Sequence, residues 1–376
     1  MSTAAITGLC PPRFAAVREA FAANFAEGLE LGARFALAIG GEIVVDLFGG
    51  WADRQETRAF DKRTLAPIFS TTKALAALMI ARLVGNGRLA YTQPVAEIWP
   101  EFAAAGKGSL TVEQVLSHQA GLAGLHGPMR PADWFDWDAI CARLAAMTPL
   151  WPPGSASGYH PVTFGYLAGE IFRRIDGRMI GEALREDIAG PLGLDLWIGL
   201  PDSEQARCAD VRRPPAMPHL GAVDEIRRLA FLSPWSSPGG LGEAALRRAD
   251  IPSVSGQATA PALALAMAAL ADDGRIGAAE ILAPGMAAAA SRERIHGPDR
   301  VLPFTVSWAA GLLRNDGLGA WGPNPATVGH AGWGGSCAFA DPATGVSGAY
   351  VMNRQSVHLV GDPRPRRLID AAYSAL

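Results

Sequence analysis

Lysine is scarce in this sequence of 376 residues. Only Lys62, Lys73 and Lys107 occur, so 30 of the 33 basic residues are arginine. Charge is scarce too, at 18% of residues with a net charge of −3. That balance leaves no basic face for nucleic acid and no polybasic patch for a membrane. The four cysteines, Cys10, Cys141, Cys208 and Cys337, form no Cys-x-x-Cys pair. They read as reduced or buried thiols rather than a disulfide framework or a zinc site. The apolar run near 261–271 is too short to span a bilayer. Residues 1–12 lack a basic region followed by an apolar core, so a cytoplasmic location is expected. Missing as well are Gly-x-Ser-x-Gly, His-Glu-x-x-His, a P-loop and a dinucleotide fingerprint. No metal or cofactor is therefore expected, and the oligomeric state is left open.

What is present is 49% hydrophobic content in a chain long enough for two lobes. Phe14, Val17, Phe21 and Phe25 recur at helical spacing over 13–28. Residues 34–39 and 42–48 read as strands around Gly40-Gly41. From about 73 to 200 the signals are mostly helical, with Thr111 placed to cap one helix. The segment 201–242 is long, rich in Pro and Gly, and of the kind that is usually functional. A helix over 260–273, strands over 307–313, 337–340 and 346–352, and a closing helix over 363–376 follow. Strands at both ends with helices between predict an α+β fold. Its antiparallel sheet is flanked by the terminal helices. The expected sheet lobe is 1–75 with 240–376, the helical lobe is 76–239, and the site lies between them.

One stretch stands apart: Phe69-Ser70-Thr71-Thr72-Lys73, opening an apolar helical run. Positions i and i+3 share a helix face, so the Ser70 hydroxyl and the Lys73 amine can meet. A hydroxyl beside an amine able to take its proton is what a serine nucleophile requires. Lysine is also out of place in a first turn, where the macrodipole favours acids. The competing structural reading makes Ser70 an N-cap and Lys73 a solvated side chain.

Two later stretches can complete such a site. Pro152-Pro153-Gly154 runs into Gly158-Tyr159-His160, and Gly329-His330-Ala331-Gly332-Trp333-Gly334-Gly335 is glycine-rich. Glycines let backbone N–H groups approach a ligand closely. Taken alone, Tyr159 is a half-buried tyrosine and His330 a residue at a strand end. Trp333 and Trp235 are candidate pocket walls. Trp134, Phe135 and Trp137 could be core, a lid or a pocket wall, core being the commoner place for such aromatics. The aromatics around Trp134 and Trp235 suggest an apolar pocket of modest size.

These stretches, with 115–122, 255–260 and the block from His330 to Asn353, resemble the class C β-lactamase and penicillin-binding-protein superfamily of serine hydrolases. Within it they look most like family VIII carboxylesterases. The resemblance covers nearly the whole chain. It implies Ser70 as nucleophile, Lys73 as the lysine sharing its proton, and Tyr159 as base or proton relay. The amides of Ser70 and Trp333 match the oxyanion hole, with Gly332 and His330 in the segment beside it. Asn353 is hinted to face the cleft. Two departures bear on substrate. Tyr159-His160-Pro161 replaces Tyr-x-Asn, and His330 stands where β-lactamases carry a lysine. Both favour neutral esters over β-lactams. His160 either tunes the phenol or serves as a hydrogen-bonded structural histidine, and His118 is expected to be structural.

The expected function is a serine carboxylesterase acting on small, short-acyl esters through an acyl-enzyme. A β-lactamase, D-amino peptidase, amide hydrolase or acyltransferase on the same site stays open. So does a sensor that keeps the fold without turnover.

Overall fold

A computed structural model describes residues 5–233 and 243–376. Its main sheet has nine antiparallel strands: β1 (Thr7–Leu9), β2 (Gly32–Ile39), β3 (Glu42–Gly50), β4 (Ile295–Pro298), β5 (Thr305–Trp308), β6 (Leu313–Arg314), β7 (Val328–Ala331), β8 (Cys337–Asp341) and β9 (Val346–Met352). Their order is β1–β3–β2–β9–β8–β7–β6–β5–β4, so the two ends of the chain meet where β2 pairs with β9. Gly40 and Gly41, both at positive φ, make the tight turn between β2 and β3.

Alternation along the strands decides which helix covers which face. Phe35, Leu37, Tyr350 and Met352 share one cluster with Phe14, just before helix α1 (Ala15–Ala26), and with Val17 and Phe21 of that helix. The intervening Ala36, Ala349 and Val351 belong to a second cluster. Helix α2 (Thr72–Gly85) is buried almost throughout within that cluster. Helices α3 (Val112–Leu116), α4 (Trp137–Ala146) and α5 (Thr163–Asp176) build the helical region around it. Helix α6 (Ala260–Ala271) packs on the β2, β8 and β9 strands, and its alanines permit the close approach. Helix α7 (Pro363–Tyr373) pairs with α1. The terminal helices thus flank one face, and α6 covers the other. The fold is α+β, and positions 75 and 76 both lie within α2.

Thr111 caps α3 with a reciprocal bond to Gln114, as its sequence position implies. The expected strand over 307–313 is instead two strands, β5 and β6. Gly311, at φ 80°, turns the chain between them. Strands β4 and β7 carry Gly, His and Pro and show no alternation that sequence reading could detect. No helix among the described residues is long and apolar enough to cross a membrane.

Candidate active site

Ser70 lies in a short 3₁₀ turn, Phe69–Thr71, that runs directly into α2. It is not a side-chain cap. Phe69, just before it, sits at φ 45°, a left-handed conformation that a bulky residue holds only under constraint from its surroundings. The constraint is visible. Ser336 Oγ donates to the Ile68 carbonyl at 2.9 Å and lies 3.2 Å from Thr71 Oγ1. Thr72 Oγ1 bonds the Phe69 carbonyl and accepts from the Gly256 amide at 3.0 Å.

The i, i+3 geometry is met: Lys73 Nζ lies 3.1 Å from Ser70 Oγ. The same nitrogen contacts the carbonyl oxygens of Pro161 at 2.7 Å and Ser253 at 3.1 Å. Lys73 has no exposed surface. Burial holds its pKa well below the usual lysine value. The solvated-lysine reading is therefore excluded.

Tyr159 is brought to the same place. Its ring centroid is 4.9 Å from Lys73 Nζ. Burial raises its phenol pKa, and a hydrogen bond with the Ser70 side chain opposes that rise. The Trp308 indole lies parallel to the Tyr159 ring, with centroids 5.8 Å apart and planes within 4°. His118 meets Tyr159 edge-on at 5.1 Å.

His160 does not act on the phenol as a hydrogen-bond partner. Its Nε2 accepts from the Leu122 amide at 2.9 Å, and its own amide donates to His118 Nδ1 at 3.1 Å. The Gly158 amide donates to the His118 carbonyl at 3.0 Å. The two histidines thus fasten the 158–160 segment to the 118–122 segment that follows α3. Burial pushes His160 down to about 3, so it stays neutral in this role.

His330 sits on β7 with its ring centroid 6.0 Å from that of Tyr159. Its Nδ1 lies 2.8 Å from the Ala331 carbonyl oxygen, which can only accept, so Nδ1 carries the proton. Burial foremost, with Lys73 nearby, pushes its pKa down to about 3. The position is neutral at ordinary pH.

Gly332 is a point of close approach. A Cβ there would stand 2.1 Å from Ser336 Oγ and 2.3 Å from the Ile68 carbonyl oxygen. Only glycine lets the 332–335 loop lie this near the Ser70 turn. Neither the Ser70 nor the Trp333 amide is consumed by a backbone hydrogen bond among the described residues.

Ser70, Tyr159, His330 and Trp333 all line one cavity of about 810 Å³. That is the size of sites for drug-sized ligands, roughly 300–1,000 Å³, and not the modest pocket expected. Its other walls are mostly apolar and include Phe231, Leu302, Val211, Pro214 and Met217, with Arg213, Glu243 and Gln355 among them. The long segment 201–242 thus supplies part of the wall. One sequence expectation needs correction. Asn353 is fully buried away from the cavity. Its Oδ1 accepts from the Gly32 amide at 2.8 Å and its Nδ2 donates to the Trp51 carbonyl at 3.0 Å, which ties β2 to the end of β9. Trp134 is a core residue packed on Tyr166, the commoner of the readings expected for it. Trp235 lies outside the described residues.

Sequence reading missed the carbonyls of Pro161 and Ser253, the Ser336 hydroxyl and the Trp308 ring. A backbone carbonyl carries no residue-type signal, and Ser336 is unmarked within a glycine-rich stretch.

The sequence profile of the family described as Beta-lactamase matches residues 21–373. The chain belongs to the beta-lactamase family. Within that family it is similar to the "Esterase/beta-lactamase LipL" of Mycobacterium tuberculosis. The two are 37% identical over 362 residues, 93% of this chain and 83% of the relative. A solved penicillin-binding protein homolog from Caulobacter crescentus superposes with a TM-score of 0.97 at 62% identity. The match covers 99% of this chain and 100% of that one. A family VIII carboxylesterase superposes at 0.94 with 41% identity, over 99% and 100% of the two chains.

Proposed function

We propose that this member of the beta-lactamase family is a serine carboxylesterase working through an acyl-enzyme on Ser70. The observation that carries the reading is the surroundings of Lys73. A neutral amine has two hydrogens and one lone pair. The carbonyls of Pro161 and Ser253 take the hydrogens, and the lone pair is left for Ser70. Burial without a carboxylate partner favours this neutral form.

In the proposed sequence, Lys73 takes the Ser70 proton as Oγ bonds to the ester carbonyl carbon. The Ser70 and Trp333 amides hold the resulting oxyanion, at the positive end of α2. The ester C–O bond then breaks. Tyr159 gives its phenolic proton to the departing alkoxide and is reprotonated by the Lys73 ammonium. Deacylation repeats these steps with water in place of Ser70. A high phenol pKa suits Tyr159 to this relay, because it starts and ends protonated.

At its own position the neutral His330 offers a lactam carboxylate no fixed cation, which supports ester chemistry, although Arg213 also lines the cavity. The proposed substrates are small carboxylic esters with a short acyl group on Ser70. The largely apolar remainder of the cavity, broken by Arg213, Glu243 and Gln355, favours an alcohol portion that is mainly apolar. The relatives' printed names, esterase and carboxylesterase, support the same class. The proposed architecture behind the site keeps a sheet lobe of 1–75 with 240–376 and a helical lobe of 76–239. The proposed setting is the cytoplasm, which the four free thiols suit.

The test compares p-nitrophenyl acetate with a chromogenic cephalosporin. The reading predicts a higher kcat/KM for the ester and loss of both activities in Ser70→Ala. A higher kcat/KM for the cephalosporin would make it a β-lactamase instead.

A further inference from the structure

Asp299 follows β4 and is almost fully buried, though no part of the chemistry above uses it. One of its oxygens, Oδ1, accepts the backbone amide of Tyr159 at 2.9 Å. The same oxygen accepts the amides of Val301 and Leu302, each at 2.9 Å. The other oxygen, Oδ2, accepts the indole N–H of Trp308 at 3.2 Å. Trp308 is the ring stacked on Tyr159. A further backbone bond, from the Arg300 amide to the Ser157 carbonyl at 2.9 Å, runs beside this clamp.

Burying a carboxylate is costly unless its lone pairs are satisfied. Four N–H donors from three separate stretches satisfy this one. Two of them fix the same object. The Tyr159 amide sets where the tyrosine's Cα sits, and the Trp308 indole sets the plane its ring lies against. The turn at 301–302 also places Leu302 in the cavity wall.

We infer that Asp299 is a positioning residue for Tyr159, holding backbone and ring so that the phenol meets Ser70 and the departing alcohol. The inference rests on the proposed proton-relay role of Tyr159. Asp299 does not touch substrate. Its effect arises because proton transfer tolerates little misplacement. An error of about 1 Å in a reacting group is able to cost on the order of 100-fold in rate.

A double-mutant cycle tests this, read as kcat and KM on p-nitrophenyl acetate with melting temperatures recorded for each variant. Asp299→Ala is expected to lower kcat roughly 10- to 100-fold with little change in KM. Asp299→Asn keeps an oxygen for the Tyr159 amide but offers an N–H₂ group to the Trp308 donor. It is expected to retain more kcat than Asp299→Ala. The deciding arm is the Tyr159→Phe background. With no phenol left to position, Asp299→Ala or Asp299→Asn should lower kcat little further there. Equal losses in both backgrounds would overturn the inference, as would an unaltered kcat in folded Asp299→Ala. If Asp299→Ala does not fold, the Asp299→Asn cycle carries the same decision. Full activity in Tyr159→Phe alone would instead overturn the relay role of Tyr159.

Discussion

Lys73 Nζ lies 3.1 Å from Ser70 Oγ, and the nearest partners of its remaining valences are two carbonyl oxygens, not a carboxylate. Carbonyls orient an amine without holding a proton on it. A carboxylate would have stabilised the ammonium and raised the pKa. The first expectation concerns these groups. Ser70→Ala should remove ester hydrolysis altogether. Lys73→Ala should lower kcat by roughly 10²–10⁴-fold, the usual worth of a general base. Steady-state kinetics on p-nitrophenyl acetate checks both, and a folded Lys73→Ala with ordinary kcat would refute the base assignment.

The pH profile follows from the same burial. In the proposed mechanism Lys73 works only when neutral, so kcat/KM should fall as pH drops through its lowered pKa. His330, pushed down to about 3, is neutral at every pH above that value. The acid limb should therefore keep its midpoint in His330→Gln. A limb that disappears in His330→Gln would reassign it to the histidine.

The close approach of the 332–335 loop to the Ser70 turn predicts a steric effect. Gly332→Ala places a methyl 2.3 Å from the Ile68 carbonyl oxygen, a backbone atom that cannot swing aside. The loop must retreat, and the Trp333 amide with it. Losing one oxyanion donor costs about 10²–10³ in kcat, and a loss of that order is expected. Ser336→Ala, which removes the hydroxyl bridging Ile68 and Thr71, should lower kcat in the same direction by less. Unchanged kcat in both variants would dissociate this loop from the oxyanion.

Asp250 gives a stability prediction away from the site. Burial raises its pKa from 3.8 to about 7. Below 3.8 both folded and unfolded chains carry the proton. Between 3.8 and about 7 only the folded chain keeps it, so this residue's contribution to stability declines as pH rises through that window and levels off above it. Asp250→Asn keeps an acceptor for the Gly181 amide and does not titrate. The wild-type melting temperature should fall relative to that of Asp250→Asn between pH 4 and pH 7, as thermal unfolding across pH would show. A constant difference across that range would contradict it.

Much of this was legible in sequence, for a physical reason. Ser70 and Lys73 are three residues apart, and local helical geometry alone brings them together. The strand pair around Gly40-Gly41 and the Thr111 cap are local in the same way. Tyr159 and the His330–Trp333 segment became legible only through family resemblance. Nothing in their own surroundings states what they meet. The clamp on Tyr159 was not legible at all, because Asp299 lies 140 positions away from it. The Ser253 carbonyl lies 180 positions from Lys73 and is backbone besides. Asn353 misled because resemblance placed it at a strand end near the cleft. Its amide is engaged by Gly32 and Trp51 instead.

The central claim is an acyl group carried on Ser70. Rapid-quench intact mass of the protein during p-nitrophenyl acetate turnover, followed by peptide mapping, tests it directly. The account predicts one acetyl group on Ser70, a matching burst of p-nitrophenol, and neither in Ser70→Ala. An adduct on another residue, or full turnover by Ser70→Ala, would contradict it.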